Sequence, residues 1–329
     1  MSLLDKYIDY IRNIRRYSER TVQIYDAALR DYVSFAHEDP SEVSDDDIVS
    51  SMNISEIRSY EVAMLDQGYS SRTVNLHISA LSSFCRYLIK NRRLKSNPVR
   101  SVVKPKTEKR LPVFFRKESM DAYFAVSPFP EKREEFDSFL SGIHTRSGKE
   151  NYEAILARMI IYLLYALGIR RAELISLKVG DVDFGRNVVK VTGKGDKKRE
   201  IPFIASLCEE LLLYLEAVET MCGGKRSLKE PLLVTYKGKS LYPAYVDRVV
   251  KSELGGVKGI AGRKSPHVLR HSLATELLNE GTDINSIKEL LGHSSLAATQ
   301  VYTHGSIARL KSIYEQAHPR AKNGGKHGD

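Results

Sequence analysis

Residues 267–271 read HVLRH, and residues 291–304 read LGHSSLAATQVYTH. In the first stretch, the three-residue spacing of the leading histidine and the arginine places both on one face of a predicted helix. In the second stretch, His293 follows a glycine and precedes Tyr302 by nine residues. Arginine, histidine and tyrosine side chains in this order are suited to bind a phosphate group and to supply a nucleophile. We therefore expect a phosphoryl-transfer site in the C-terminal part of the chain.

Two segments further upstream contribute basic residues to the same region. GIRRAEL at 168–174 follows an apolar helix predicted for Ile155–Leu167, and its glycine ends that helix. VTGKGDKKREIP at 191–202 predicts a hairpin, because two β-branched or alternating strands flank a turn of glycine and lysine. Lys194 lies at the tip of this turn, and a third strand is expected near Pro231–Thr235. The region is thus predicted to be a mixed helical and β domain.

These side chains are suited to cleave a phosphodiester without a metal ion. Arg170 and Arg270 can donate forked, charge-assisted hydrogen bonds to the non-bridging oxygens and so stabilise a pentavalent phosphorane. The Tyr302 hydroxyl is a usable nucleophile if its proton passes to a base such as His267. Lys194, on a flexible turn, is suited to protonate the departing 5′-oxygen. No cluster of acidic residues in the sequence has the spacing of a two-metal nuclease site.

Two of these assignments have rivals in the sequence. Arg171 adjoins Arg170, although the three-residue step to Glu173 favours Arg170. On the hairpin, Lys197 or Lys198 competes with the lysine at the tip. Both choices stay open at the level of sequence.

Zinc binding is another interpretation of HVLRH, because His267 and His271 stand four residues apart on a predicted helix. No third ligand with convincing spacing follows, and the HEXXH pattern is absent. We therefore expect no metal and no cofactor, and we expect His271 to be a buried or supporting histidine.

The four quoted segments resemble the signature boxes of the tyrosine recombinases, or integrases, and especially those of the Xer branch. The resemblance covers nearly the whole chain except residues 126–150 and the extreme C-terminus. It implies a 3′-phosphotyrosine intermediate and a supporting role for Glu173. It further implies that Arg170 and Arg270 bind the phosphate and that Lys194 is the general acid. By the same resemblance, His267 assists proton transfer, His293 orients the phosphate, and Tyr302 is the nucleophile.

The resemblance implies a site-specific DNA recombinase that resolves chromosome dimers or acts in a related recombination. A mobile-element integrase or invertase of the same family is an alternative. A type IB topoisomerase-like relaxase uses similar side chains, and a non-catalytic DNA-binding protein is a further alternative. The expected partners are double-stranded DNA sites and either a homotetramer or a heterotetramer with a paralogous recombinase.

The first 98 residues read as four helices, and they are similar to the all-α core-binding, SAM-like domain of this family. Two of the helices begin with the same pattern, YSxRTV, at residues 17–22 and 69–74. Good helix-capping chemistry can explain the repetition by itself. Alternatively, each helix start presents an arginine, a hydroxyl and free amides to a DNA phosphate. The candidate DNA-binding residues here are Arg20, Thr21, Arg72 and Thr73.

Residues 99–112, VRSVVKPKTEKRLP, are the clearest boundary because they are basic and contain two prolines. The segment carries Lys104 and Lys106, and it either follows a DNA backbone or is simply a solvated linker. A helix near the C-terminus is expected to dock on a neighbouring protomer or to pack on its own domain. The predicted parts are a core-binding domain (residues 1–98), a linker (99–112) and a mixed α+β catalytic domain (113–329). The catalytic domain is expected to contain an insertion (126–150) and a C-terminal exchange helix with its tail (305–329).

The composition fits a DNA partner. The 329 residues carry 51 Lys and Arg against 41 Asp and Glu, and this surplus of +10 favours nucleic acid or an anionic membrane surface. Three cysteines cannot form a disulfide framework, and no apolar run is long enough for a membrane span. The first residues read as an amphipathic helix and not as a signal peptide. We therefore expect a cytoplasmic, nucleoid-associated protein.

Overall fold

The chain folds into two compact units, Met1–Arg110 and Leu111–Asp329, each with its own hydrophobic core. No helix in the part of the chain that is described is long and apolar enough to cross a membrane. The computed structural model describes five stretches: residues 2–39, 42–106, 113–193, 197–260 and 262–292.

The described part of the first unit contains five α-helices: α1 (Leu3–Asp9), which continues into a π-helical turn (Tyr10–Ile14), α2 (Glu19–Ala36), α3 (Asp45–Ser51), α4 (Ile54–Asp66) and α5 (Ser71–Lys90). Each of them follows a side chain that accepts a hydrogen bond from a backbone amide of the first turn, as good N-caps do. Tyr7, Val22, Val74 and Phe84 are fully buried where these helices meet. The all-helical expectation for this unit is confirmed.

The sequence predicted four helices here, and the structure has one more. Helix α3 ends at Ser51, and Met52 leaves the helical conformation with a ψ of 62°. Asn53 then caps α4, since its side chain accepts the Glu56 amide at 3.0 Å. Asn53 therefore begins α4 as a separate helix directly after α3.

The first residues of the predicted linker belong to the core of the N-terminal unit. Pro98–Ser101 form a 3₁₀ turn, and Val99 and Val102 are only 3% and 6% exposed. These two valines are buried although the segment as a whole is basic, because the burial of each contributes about 1.5–3 kcal/mol. Lys104 and Lys106 are exposed, and residues 107–112 lie outside the described ranges.

The described part of the second unit contains eight α-helices and a three-stranded antiparallel sheet: α6 (Lys117–Ala125), α7 (Arg133–Ser141), α8 (Arg146–Ala166), α9 (Arg171–Ser176), β1 (Val182–Asp183), β2 (Val188–Thr192), β3 (Lys198–Pro202), α10 (Ala205–Cys222), α11 (Pro243–Glu253), α12 (Pro266–Asn279) and α13 (Ile284–Leu291). Every residue from Ile155 to Ala166 is buried, because α10, α11 and α12 all pack against α8. This apolar helix is the centre of the unit, which confirms the mixed helical and β class.

The hairpin forms as predicted, but the predicted third strand does not. Strands β2 and β3 pair in antiparallel register, with Lys190 opposite Glu200, and β1, which lies directly before β2 in the chain, adds a third strand on the other side of β2. Residues 231–235 form only isolated bridges. The Val234 amide donates to the Tyr214 hydroxyl at 3.0 Å, and the Val234 carbonyl accepts from the Tyr152 hydroxyl at 2.9 Å. Buried tyrosines thus replace strand pairing for this apolar stretch.

Residues 126–150, for which the sequence shows weak periodicity, are folded against the core. Helix α7 lies in this stretch, and its Phe136 is 1% exposed. The start of α8 crosses the end of α7 closely, since a Cβ on Gly148 would stand 2.1 Å from the Gly142 carbonyl oxygen. Only a glycine fits at this crossing.

A buried arginine holds α6 in place. Arg158 of α8 is 1% exposed and forms a bidentate pair with Glu210 of α10, at 3.0 and 2.9 Å. The same guanidinium donates to the carbonyls of Tyr123, Phe124 and Val126 at 3.1 to 3.3 Å. These carbonyls stand at the C-terminal end of α6, where a helix lacks its own donors. Arg158 therefore connects three helices of the second unit.

Replacing Arg158 with methionine is expected to lower the free energy of unfolding by about 3–5 kcal/mol, because Glu210 would remain buried without its cation. Chemical denaturation followed by circular dichroism measures this. Arg133→Met is a matched control. Arg133 also forms a bidentate pair with a glutamate of α10, Glu216, but this pair is exposed. We expect the control to leave the denaturation midpoint unchanged. Equal losses in the two variants would contradict the prediction.

Candidate active site

The first predicted phosphate-binding residue, Arg170, lies at the start of α9. Gly168 turns the chain there with a φ of +57°, and a Cβ at this position would stand 2.7 Å from a methyl carbon of Leu291. The carboxylate of Glu173 accepts the Arg170 amide at 2.8 Å and the Arg170 Nη1 group at 2.8 Å. Glu173 thereby fixes both the backbone and the side chain of this arginine, and its bond to the Arg170 amide is the one that the acidic residue of a capping box makes.

The second predicted arginine, Arg270, is a buried cation on α12. It is 7% exposed, its Nη1 donates to the Gly168 carbonyl at 2.5 Å, and its Nη2 donates to the Leu291 carbonyl. Burial lowers the pKa of Arg270 to about 10, and the neighbouring charge of Arg170 adds to this effect. The guanidinium is still charged at neutral pH.

Three arginines converge on the C-terminal end of α13. The last carbonyls of a helix have no internal partners and carry the negative end of its dipole, so they attract cations. Here Arg199 donates to the carbonyl of residue 290, Arg270 to that of residue 291 and Arg170 to that of residue 292. The next residue in the sequence is His293. The predicted arginines are thus brought together beside the segment that leads to the remaining candidates.

Glu173 is the buried anion of this cluster. It is 4% exposed, and Arg199 donates to both of its carboxylate oxygens, at 3.0 and 2.9 Å. Burial alone would raise the pKa of Glu173, but the hydrogen bonds from Arg199 and from the Arg170 amide outweigh it, so the pKa lies below its ordinary value. The carboxylate is therefore charged and offsets part of the positive charge of the arginines.

His267 and His271 are both exposed on α12. Burial of part of the ring lowers the pKa of His267, and the charges of Arg171, Arg270 and Arg263 lower it further. The neutral form that this favours can accept a proton. Of the two alternatives expected for His271, the exposed position excludes a buried histidine and leaves a supporting one, because the buried face of α12 includes Leu269, Arg270 and Leu273. Within the described ranges, no group of three His, Cys, Asp or Glu side chains could hold a metal ion.

The rival Arg171 does not join the cluster. Its guanidinium donates to Asp247 of α11. The geometry thus places Arg170, and not Arg171, beside Arg270. Lys194, His293 and Tyr302 lie outside the described residues, as does the predicted exchange helix at 305–329, whereas Lys197 and Lys198 are described and exposed.

Sequence reasoning missed Arg199. In β3, buried positions alternate with more exposed ones, so that Arg199 and Ile201 face inward while Lys198 is exposed. A charged residue on the inward face of a predicted strand is the signal that could have identified it. Arg199 is 8% exposed and contacts both the Glu173 carboxylate and the end of α13.

The two YSxRTV segments adopt the same capped geometry. Ser18 and Ser70 accept the amides of Thr21 and Thr73 at 3.3 and 3.2 Å, and the paired hydroxyls lie 2.7 and 2.9 Å apart. Both threonines are therefore used in capping. Arg20 and Arg72 are exposed at the two helix starts.

Residues 132–309 match the phage integrase family, and residues 4–92 match the N-terminal SAM-like domain of phage integrases. The chain belongs to the tyrosine recombinases. Tyrosine recombinase XerC of Chlorobaculum parvum is 33% identical over 325 residues, which cover 97% of this chain and 94% of that protein. Tyrosine recombinase XerC of Bacillus licheniformis is 35% identical over 332 residues, which cover 98% of each protein. The predicted resemblance to the Xer branch is confirmed.

Solved structures of recombinases share the fold of this one. A lambda integrase dimer bound to a COC′ core site matches with a TM-score of 0.60 at 18% identity, covering 99% of this chain and 78% of that one. The Tn1549 transposon integrase in complex with a circular intermediate DNA matches with a TM-score of 0.58 at 19% identity, covering 95% and 98%. At these sequence identities, the structural likeness establishes only the fold of this recombinase.

Proposed function

We propose that this protein is a Xer-type site-specific recombinase that cuts and rejoins DNA through a 3′-phosphotyrosine intermediate. The observation that carries the proposal is the convergence of Arg170 and Arg270 at the end of α13, one residue before His293. The 33–35% identity to XerC proteins over nearly the whole chain supports the Xer type.

In the proposed reaction, the two arginines hold the scissile phosphate. Each guanidinium has five N–H donors in a planar fork. The two guanidinium groups together can therefore bind both non-bridging oxygens and stabilise the charge of the phosphorane. Glu173 keeps Arg170 in place through its two hydrogen bonds. His293 is the proposed third contact to the phosphate.

The proposed nucleophile is the Tyr302 hydroxyl, which attacks phosphorus while its proton passes to a base, assigned to His267. The bond from phosphorus to the 5′-oxygen breaks, and Lys194 protonates the leaving oxygen. The DNA then carries a 3′-phosphotyrosine and a free 5′-hydroxyl. A 5′-hydroxyl from another strand reverses the reaction, and no ATP is needed because the phosphodiester energy is kept in the covalent bond.

The proposed DNA contacts outside the site are Arg20, Thr21, Arg72 and Thr73 at the helix starts, together with Lys104 and Lys106. The exposed arginines would neutralise backbone phosphates and position the duplex without reading its sequence. We further propose that four protomers, identical or of two paralogous kinds, act on two sites in the cytoplasm at the nucleoid. In support, lambda integrase, which has the same fold, forms a tetramer bound to a Holliday junction.

Replacing Arg20 or Arg72 with alanine is expected to weaken DNA binding. Because each substitution removes one cation from the DNA backbone, the slope of log K against log salt should also become shallower by about one unit. Fluorescence anisotropy with a labelled duplex over a salt series measures both effects. Arg30→Ala is the control, because Arg30 also lies on α2 but is paired with Asp5 and Asp26. A salt dependence that is unchanged in the test variants would contradict the proposed role of these arginines.

The proposed function is tested by lysing cells under denaturing conditions and recovering the DNA that stays covalently attached to the protein. This DNA is then sequenced. Two copies of the recovered site are then placed on one plasmid with the purified protein. We expect deletion or inversion products between the sites. Relaxation of supercoils without recombinant products would instead favour a topoisomerase-like enzyme, and the absence of any covalent adduct would leave only DNA binding.

A further inference from the structure

We propose that Arg199 is a positioning residue for strand cleavage, which acts on the phosphate through Glu173 and Arg170. The inference rests on the proposed function and deepens it. Arg199 lies on β3 and is 8% exposed. A buried guanidinium costs several kcal/mol in lost hydration unless its donors are well paired, so the partners of Arg199 indicate what it is built to hold.

Arg199 and Arg170 both donate to each oxygen of the Glu173 carboxylate. Oε1 of Glu173 accepts from Nη1 of Arg199 at 3.0 Å and from Nη1 of Arg170 at 2.8 Å. Oε2 accepts from Nη2 of Arg199 at 2.9 Å and from the Arg170 amide at 2.8 Å. Arg199 therefore fixes the plane of the carboxylate from one side, and the carboxylate fixes Arg170 from the other.

The same side chain also holds the end of α13. Its Nε donates to the Leu290 carbonyl at 3.0 Å. Gly292 lies against the guanidinium so closely that a Cβ there would stand 3.1 Å from Arg199 Nη1. Gly292 is also the residue whose carbonyl accepts from Arg170, at 3.0 Å. Arg199 thus contacts both groups that orient the Arg170 guanidinium, namely Glu173 and the C-terminal turn of α13.

Lysine cannot replace this arrangement. An ammonium is a point charge without the planar fork, so it cannot hold both oxygens of Glu173 and the Leu290 carbonyl together. Arg199→Lys keeps the buried positive charge and removes the geometry. The Arg170 guanidinium should then lose its alignment while the protein stays folded and binds DNA.

The test is a double-variant cycle on a DNA site recovered from cells as a covalent adduct. Single-turnover formation of the adduct is measured for the wild-type protein, Arg199→Lys, Arg170→Lys and the doubly substituted protein, with DNA affinity and the denaturation midpoint for each. We expect Arg199→Lys to cleave about 10–100-fold more slowly, as for other supporting residues of a site, with the affinity for DNA unchanged. If Arg199 acts through Arg170, the doubly substituted protein is no slower than Arg170→Lys.

Two further variants complete the experiment. Arg186→Gln is the control, because Arg186, in the turn between β1 and β2, also forms a bidentate pair with a residue of β3, Glu200, but at an exposed position. We expect it to cleave at the wild-type rate. Arg199→Gln removes the guanidinium fork but keeps an amide donor for the Glu173 carboxylate, and it is expected to show the same coupling to Arg170→Lys if Arg199→Lys does not fold.

Each outcome separates the positioning role from the proposed function. Rate losses that multiply in the doubly substituted protein, or an Arg199→Lys protein that cleaves at the wild-type rate, would overturn the positioning role alone. A wild-type protein that forms no adduct with any DNA would overturn the proposed function and the inference with it. A merely structural role would lower the denaturation midpoint without coupling to Arg170.

Discussion

Replacing Tyr302 with phenylalanine is expected to abolish the covalent protein–DNA adduct and to leave DNA binding intact. Phenylalanine lacks the oxygen that would attack phosphorus, so no phosphotyrosine can form. Loss of an enzyme nucleophile commonly lowers the rate by about 10⁴-fold or more. Affinity, in contrast, comes largely from cations on the DNA backbone, which the substitution does not touch. Adduct formation on a labelled duplex, resolved by denaturing electrophoresis, measures the first quantity, and anisotropy measures the second.

A suitable control is Tyr242→Phe, because Tyr242 is an exposed tyrosine of the second unit. It should form the adduct at the wild-type rate. The chain has 18 tyrosines, so the identity of the attacking residue has to be established directly. If Tyr302→Phe still forms an adduct, peptide mapping of the DNA-linked fragment would identify another nucleophile, and the assignment of Tyr302 would be wrong.

The parts of the candidate site that are predictable from sequence are those carried by local spacing. Arg170 follows a helix that ends at Ala166, just before the turn at Gly168, and the three-residue step to Glu173 lets its carboxylate accept the Arg170 amide. The spacing within HVLRH likewise places Arg270 on a helix. What spacing cannot show is which distant segment each side chain meets. The contact of Arg270 with the Leu291 carbonyl joins α12 to the end of α13, and only the folded chain brings these two together.

The errors of prediction have a common physical origin, which is that local pattern does not reveal the partner of a buried group. The apolar stretch near Val234 has strand-like residues, but tyrosine hydroxyls satisfy its backbone. Val99 and Val102 lie in a basic segment, yet the N-terminal core buries them. Arg199 is a charged residue of a predicted hairpin, where an exposed side chain is expected. It is buried because the distant Glu173 carboxylate pairs with it.

Replacing Arg270 with glutamine is expected to slow cleavage by about 10³-fold, since removal of one preorganised donor from a charged transition state costs about 10²- to 10³-fold and here a full charge is removed as well. The pKa of Arg270, lowered to about 10, leaves the guanidinium protonated at neutral pH, so the charge is present in the native protein. Single-turnover adduct formation at saturating protein measures the chemical step without a contribution from DNA affinity.

The substitution also removes hydrogen bonds to the Gly168 and Leu291 carbonyls, so a loss of cleavage could come from a distorted fold. Arg226→Gln separates the two effects. The Arg226 side chain is 3% exposed and donates to the carbonyls of Pro231 and Leu232, but it lies outside the arginine cluster. Both variants should lose stability, and only Arg270→Gln should lose cleavage at temperatures below its denaturation midpoint. If cleavage falls equally in the two, the arginine acts on the fold and not on the phosphate.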